Sequence, residues 1–236
     1  MSKAAFVYDH QVSSHVLRGD HVMRPARLRY TYELLDAYGV FGRESAALVS
    51  PRLATVEELL TFHTREYVEA VEGLSKGPDE SGRRYNPAQF GFSQHGDNPV
   101  YSGMYEAALL STGASLLAAD LVLTGRAEVA FNVAGGLHHA MPDHASGFCI
   151  FNDPAIAIRA LMARGLRVAY VDIDAHHGDG VQHAGRRGRH PHFAEPQHGS
   201  QQGGEHFEGA HRERAQTSRF VGHVDVSLAE PRAFGL

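Results

Sequence analysis

The sequence predicts an α/β protein of three layers, helix–sheet–helix, around a mainly parallel sheet. Three observations point there. Short apolar strands alternate with longer segments of helical period. Helices between the strands make right-handed crossovers, which pair strands in parallel and place helices on both faces. The two richest clusters of His, Asp and Gly each follow a strand, the place where such sheets bind ligands.

The elements follow in order. Ala5 to Tyr8 reads as a short buried strand. Arg24 to Tyr38 carries Leu28, Tyr32, Leu35 and Tyr38 at near-helical spacing, with Gly39 as a stop. Thr55 and Glu58 form a capping-box pair for a short helix. Gly73 to Asn86 is polar and holds Gly and Pro, so a surface loop is expected. Gly103 to Leu123 is a long Ala- and Leu-rich helix closed by Gly125. Glu128 to Val133 is a strand running into Gly135-Gly136. Pro154 to Arg164 is a helix, with Asp153 as the expected cap and Gly165 as the end. Leu166 to Ile173 reads as a strong buried strand.

Composition narrows the function classes. The chain has 236 residues, 43% apolar, with a formal net charge of −5. That suffices for a packed core and argues against disorder or a dedicated nucleic-acid binder. No signal peptide is expected, and the apolar stretches read as too interrupted for the ~20 residues a membrane span needs. One cysteine, Cys149, excludes an internal disulfide and fits a reducing cytoplasm. Histidine is the unusual residue: 17 against 22 Lys plus Arg.

Residues 185–236 differ in character. They carry six His, seven Arg and eight Gly, and the only large apolar residue between Phe193 and Phe220 is Phe207. One weakly alternating strand is expected at 220–226, and most of the segment is expected to be poorly ordered. The sudden change of composition reads like translation in a shifted frame.

Two clusters carry chemistry: Gly135-Gly136-Leu137-His138-His139-Ala140, and Asp172-Ile173-Asp174-Ala175-His176-His177-Gly178-Asp179-Gly180. Asp172 and Asp174 are two apart at a strand end and share a face. Asp174 with His176 suits a catalytic metal with an open position. The His pair and the two spare carboxylates make two His–Asp dyads facing one metal. Either motif alone is weak. Together, on one rim of one sheet, they form a specific signal.

These motifs resemble the zinc-dependent histone deacetylase superfamily, which includes bacterial acetoin-utilisation deacetylases and acetylpolyamine amidohydrolases. Arg24-Pro25-x-Arg27, Phe62-His63-Thr64-x-x-Tyr67-Val68, Gly96-Asp97-Asn98-Pro99-Val100 and Gly147-Phe148-Cys149-x-Phe151-Asn152 extend the likeness over residues 5–184. The resemblance implies an arginase/deacetylase-like fold and hydrolysis of the acetyl amide of acetyl-lysine proteins or acetylated polyamines. Asp174 and His176 would be two of three zinc ligands. His139 with Asp179 would be the general base, and His138 with Asp172 would hold and polarise the water. Asp97 would bind substrate at the rim, and Gly147 and Phe148 would line the acyl channel. Asp172, Asp174 and His176 would also serve a structural K+ site. Cys149 reads as a packing thiol.

The resemblance also implies parts that the sequence does not contain: an Asp-Pro-Leu-like third ligand and a Gly-rich loop with an oxyanion-stabilising Tyr. The last tyrosine is Tyr170, and the only Asp after Asp179 is Asp225. The chain is therefore expected to be a C-terminally truncated or frame-shifted relative, incomplete on the C-terminal side of the sheet, with weak activity or none. Two alternatives remain. One is a non-catalytic domain that binds a ligand or partner. The other is an arginase-like ureohydrolase, whose two manganese ions go with Asp-x-His-x-Asp rather than Asp174-x-His176-His-Gly-Asp179.

Overall fold

A computed structural model describes residues 2–15, 17–77 and 85–187, together with the backbone of 218–221 and 224–227. The remainder of the expected tail lies outside the described residues.

In chain order the elements are β1 (Ser2–Val7), α1 (Ala26–Ala37), β2 (Ala46–Val49), α2 (Val56–Leu59), α3 (Arg65–Lys76), α4 (Met104–Leu123), β3 (Ala127–Asn132), α5 (Asp153–Met162), β4 (Ala169–Tyr170), α6 (Asp179–Arg187), β5 (Ser218–Val221) and β6 (Val224–Ser227). The sheet order is β2-β1-β3-β5-β6-β4. β2, β1, β3 and β5 run parallel, and β6 is antiparallel to both β5 and β4.

Alternation along β1 divides the core. Ala5 and Val7 join Ala127 and Ala130 of β3 against α4 and α5. Phe6 and Tyr8 face the other way, onto Leu28, Tyr32 and Leu35 of α1. Helices thus cover both faces. A third cluster, around Tyr67, Phe90, Phe92, Met104 and Phe151, packs α3 against α4 and takes in Ala155 and Ile156 of α5.

Local chemistry explains several element ends. Thr55 accepts from the Glu58 N–H while Glu58 accepts from the Thr55 N–H, so the capping box is complete. Gly39, at φ 66°, follows α1 where a left-handed residue is required.

Four expectations need correction. Gly73 lies inside α3, which continues to Lys76; the glycine there serves close packing and not a turn, since a side chain would collide with the Tyr85 ring. The cap of α5 is Asn152, whose side chain accepts from the Ala155 N–H, and not Asp153, whose carboxylate is taken up elsewhere. The strand expected at 166–173 pairs only at Ala169 and Tyr170. β5 occupies the place beside β3, so β4 finds its partner in β6. Finally, α4 is 20 residues long and, by length and composition, apolar enough to cross a membrane. Here it is the central core helix, mostly buried within the protein.

Candidate active site

The carboxyl end of β3 opens into the loop that carries His138 and His139, and the chain leaving β4 carries Asp172, Asp174 and His176. The first turn of α6 supplies Asp179. Two separate stretches of chain, 135–140 and 172–180, therefore meet on one rim of the sheet.

Two His–carboxylate pairs form there. His138 Nδ1 lies 2.7 Å from Asp172 Oδ2, and His139 Nδ1 lies 2.8 Å from Asp179 Oδ1. An ionised carboxylate can only accept, so each Nδ1 carries a proton, and in the neutral ring that tautomer leaves the lone pair on Nε2. The two rings stand 4.2 Å apart at 65°. His138 is buried and His139 half-buried.

Asp172 has a second donor, the Tyr170 hydroxyl at 2.7 Å. Burial pushes the Asp172 carboxyl up, but the hydrogen bonds from Tyr170 and His138 outweigh it and hold the group below its ordinary value. Burial, then the adjoining carboxylate, push the Tyr170 phenol far up, so it stays a donor. Sequence reasoning missed Tyr170. Its signal was position: two residues before Asp172 on a strand, it shares that residue's face.

Asp174 and His176 are exposed and face each other, Oδ1 to Nδ1, at 2.9 Å. The His176 backbone N–H, and then its ring, hold the Asp174 carboxyl below its usual range. The His139 and His176 ring centres are 5.9 Å apart. A carboxylate and an imidazole are suitable zinc donors, so Asp174 and His176 could hold such an ion. They are two donors only. Among the described residues no group of three or more His, Cys, Asp or Glu is placed to hold a metal.

The rim is built from the segment 146–149. Ser146 and Cys149 bridge to each other, placing Gly147 at φ 49° and Phe148 at φ 71°. Phe148 is the only non-glycine at positive φ among the described residues, a conformation that costs about 1–3 kcal/mol. Two contacts hold it: its N–H donates to Asn98 Oδ1 at 3.3 Å, and its ring meets His21 edge-on at 5.0 Å. Gly147 presses on His139, where a Cβ would lie 2.4 Å from the ring. Asp97 is exposed, and its carbonyl accepts from His21 Nε2 at 3.1 Å. His21 is a further residue that sequence reasoning passed over. A cavity of about 90 Å³ lies behind the loop, lined among others by Arg27, Leu28, Leu137, Phe148 and Ile150. Cys149 is buried, and burial pushes its thiol up to about 12, which suits packing and not nucleophilic attack.

Comparison with known proteins identifies the family. The model of the histone deacetylase domain matches residues 21–194. The acetoin utilization protein AcuC of Bacillus subtilis is 42% identical over 185 residues, covering 77% of this chain and 46% of AcuC. Human histone deacetylase 1 is 37% identical over 182 residues, covering 77% of this chain and 37% of that protein. The crystal structure of a histone deacetylase homologue from Aquifex aeolicus superimposes with a TM-score of 0.65 at 32% identity, over 78% of this chain and 48% of that one. A structure of a homologue complexed with SAHA gives a TM-score of 0.66. The chain spans less than half the length of these relatives. With a domain match over most of its residues and relatives at this level of identity, the chain belongs to the histone deacetylase family.

Proposed function

We propose that this chain carries the water-activating part of a zinc-dependent amidohydrolase that removes acetyl groups from acetylated lysine or polyamine. The observation that carries the reading is the pair of His–carboxylate dyads, both with Nε2 free, beside the Asp174–His176 pair. Relatives named as histone deacetylases support the reaction class.

In this reading His139 Nε2 accepts a proton from the attacking water and returns it to the departing amine nitrogen, while Asp179 stabilises the imidazolium. His138, oriented by Asp172 and Tyr170, holds the water with its own Nε2. Asp174 and His176 would be two of the zinc ligands. The ion supplies Lewis acidity, acidifying water and polarising an amide oxygen. K+ near Asp172, Asp174 and His176 and a cytoplasmic location belong to the same proposal. Asp97 would meet the substrate at the rim, with Gly147 and Phe148 flanking the acyl group.

Activity of the 236-residue chain should be low. Two protein ligands hold zinc less firmly than three. No tyrosine follows Tyr170, and the Tyr170 hydroxyl is engaged on Asp172. Loss of one oxyanion donor costs about 10²–10³ in rate. The test is acetate release from an acetyl-lysine peptide and from an acetylated polyamine with zinc added. Slow, chelator-sensitive release that falls ~10²–10⁴-fold in His139→Ala is expected. Release no faster than that of His139→Ala overturns catalysis. It would favour the second reading, a non-catalytic binding domain, which the lack of a third metal donor among the described residues supports.

A further inference from the structure

We infer that Asn152 and Asp153, at the start of α5, are positioning residues that clamp the backbone of 136–140 so that both imidazoles meet their carboxylates. The inference rests on the reading of His138 and His139 as the working pair.

Both residues are almost fully buried, and together they hold the loop from two sides. Asp153 accepts from the Leu137 N–H at 2.8 Å and the Gly136 N–H at 3.1 Å, and from Ser115 Oγ at 2.5 Å. Asn152 donates through Nδ2 to the carbonyls of Ala140 at 3.0 Å and His138 at 3.2 Å. Its own N–H donates to His63 Nε2 at 3.0 Å. The clamp therefore grips N–H groups before the His pair and carbonyls at and after it.

Capping α5 does not require these residues. Serine or threonine would cap as well as asparagine. Only a primary amide can accept from the Ala155 N–H while giving two donors to the loop. Asp153 likewise faces three donors, which calls for a group that only accepts. Among the described residues it has no cationic partner, so its burial is unfavourable unless the donors are fixed. Burial pushes its carboxyl up, and the bonds from Ser115, Leu137 and Gly136 pull the other way.

The surroundings leave no slack. A Cβ on Gly135 would lie 2.5 Å from Asp153 Oδ2. One on Gly180 would lie 2.5 Å from Asn152 Nδ2 and within 2.6 Å of the His138 and Ala140 carbonyls. α6, which carries Asp179, thus docks on the clamp itself. Adjacent side chains commonly diverge. Here one short loop, pinned on both sides, turns two neighbours toward two different carboxylates.

The test uses the full chain and the low-field NMR resonances of the His138 and His139 Nδ1 protons, which report the dyads whether or not any amide is cleaved. Asn152→Ser keeps a good cap but removes both donors. Asp153→Asn keeps the volume but turns an N–H toward donors. Both should lose or shift both resonances and exchange those protons with water at least tenfold faster. Ile156→Val, a buried change on the same helix, should lower the melting temperature and leave the resonances in place. If Asp153→Asn fails to fold, Ser115→Ala removes one donor and should give a smaller shift in the same sense. Wild-type resonances in folded Asn152→Ser and Asp153→Asn would reduce the pair to a helix cap. Absent acetate release with normal resonances would count against the proposed reaction and not against the clamp.

Discussion

His63 shows how a single residue in the support of the site sets a solution property. Its ring is buried and its Nε2 accepts from the Asn152 N–H, so it must stay neutral. Burial pushes its pKa down from 6.5 to about 3. Above pH 6.5 both folded and unfolded chains hold it neutral, and it adds no pH dependence. As pH falls below 6.5 the unfolded chain takes up a proton that the folded chain refuses, and stability declines until the folded pKa is passed. Between pH 6.5 and 5 the loss from this residue is about 2 kcal/mol. Urea denaturation across that range should show a shallower decline in His63→Gln than in the wild type. Cys149 makes a second prediction at this scale. With its thiol pushed up to about 12 and packed inside, iodoacetamide at pH 7.5 should label the native chain negligibly and the urea-unfolded chain readily, as mass spectrometry would read.

Among the elements, α6 reverses an ordinary rule. Glycine to alanine inside a helix normally stabilises by up to about 1 kcal/mol. Gly180→Ala should instead destabilise by about 1–3 kcal/mol, because the new methyl would meet the Ala140 and His138 carbonyls and the Asn152 amide. Chemical denaturation gives the sign directly. The elements also show what the sequence could reveal. The capping box of α2 was legible because both partners sit within three residues. The cap of α5 was not, since Asn152 and Asp153 are both good cap residues and only contacts with a distant loop decide between them. β4 misled because a buried-strand pattern records burial but not which strand occupies the neighbouring place. For the site, the glycine-flanked His and Asp clusters announced themselves. Which His meets which carboxylate, and that Tyr170 joins them, depend on long-range geometry that spacing does not encode.

Across the whole molecule, the two sheet faces are unequally covered. α4 and α5 cover one. On the other, Leu48, Phe6 and Phe131 line up in register across β2, β1 and β3, and Leu48 and Phe131 remain 43% and 42% exposed. Ile173, beyond β4, is 78% exposed. An apolar row reaching an edge strand invites association. Leu48→Lys should raise the concentration at which light scattering detects aggregates and change stability by no more than about 0.5 kcal/mol.

The central helix has a consequence for biogenesis. Met104–Leu123 leaves the ribosome before α5 exists to shelter it, and until then its long apolar surface faces solvent. Slowed translation just downstream of Leu123 would lengthen that interval and tilt the nascent chain toward aggregation before the following forty residues fold down over their predecessor.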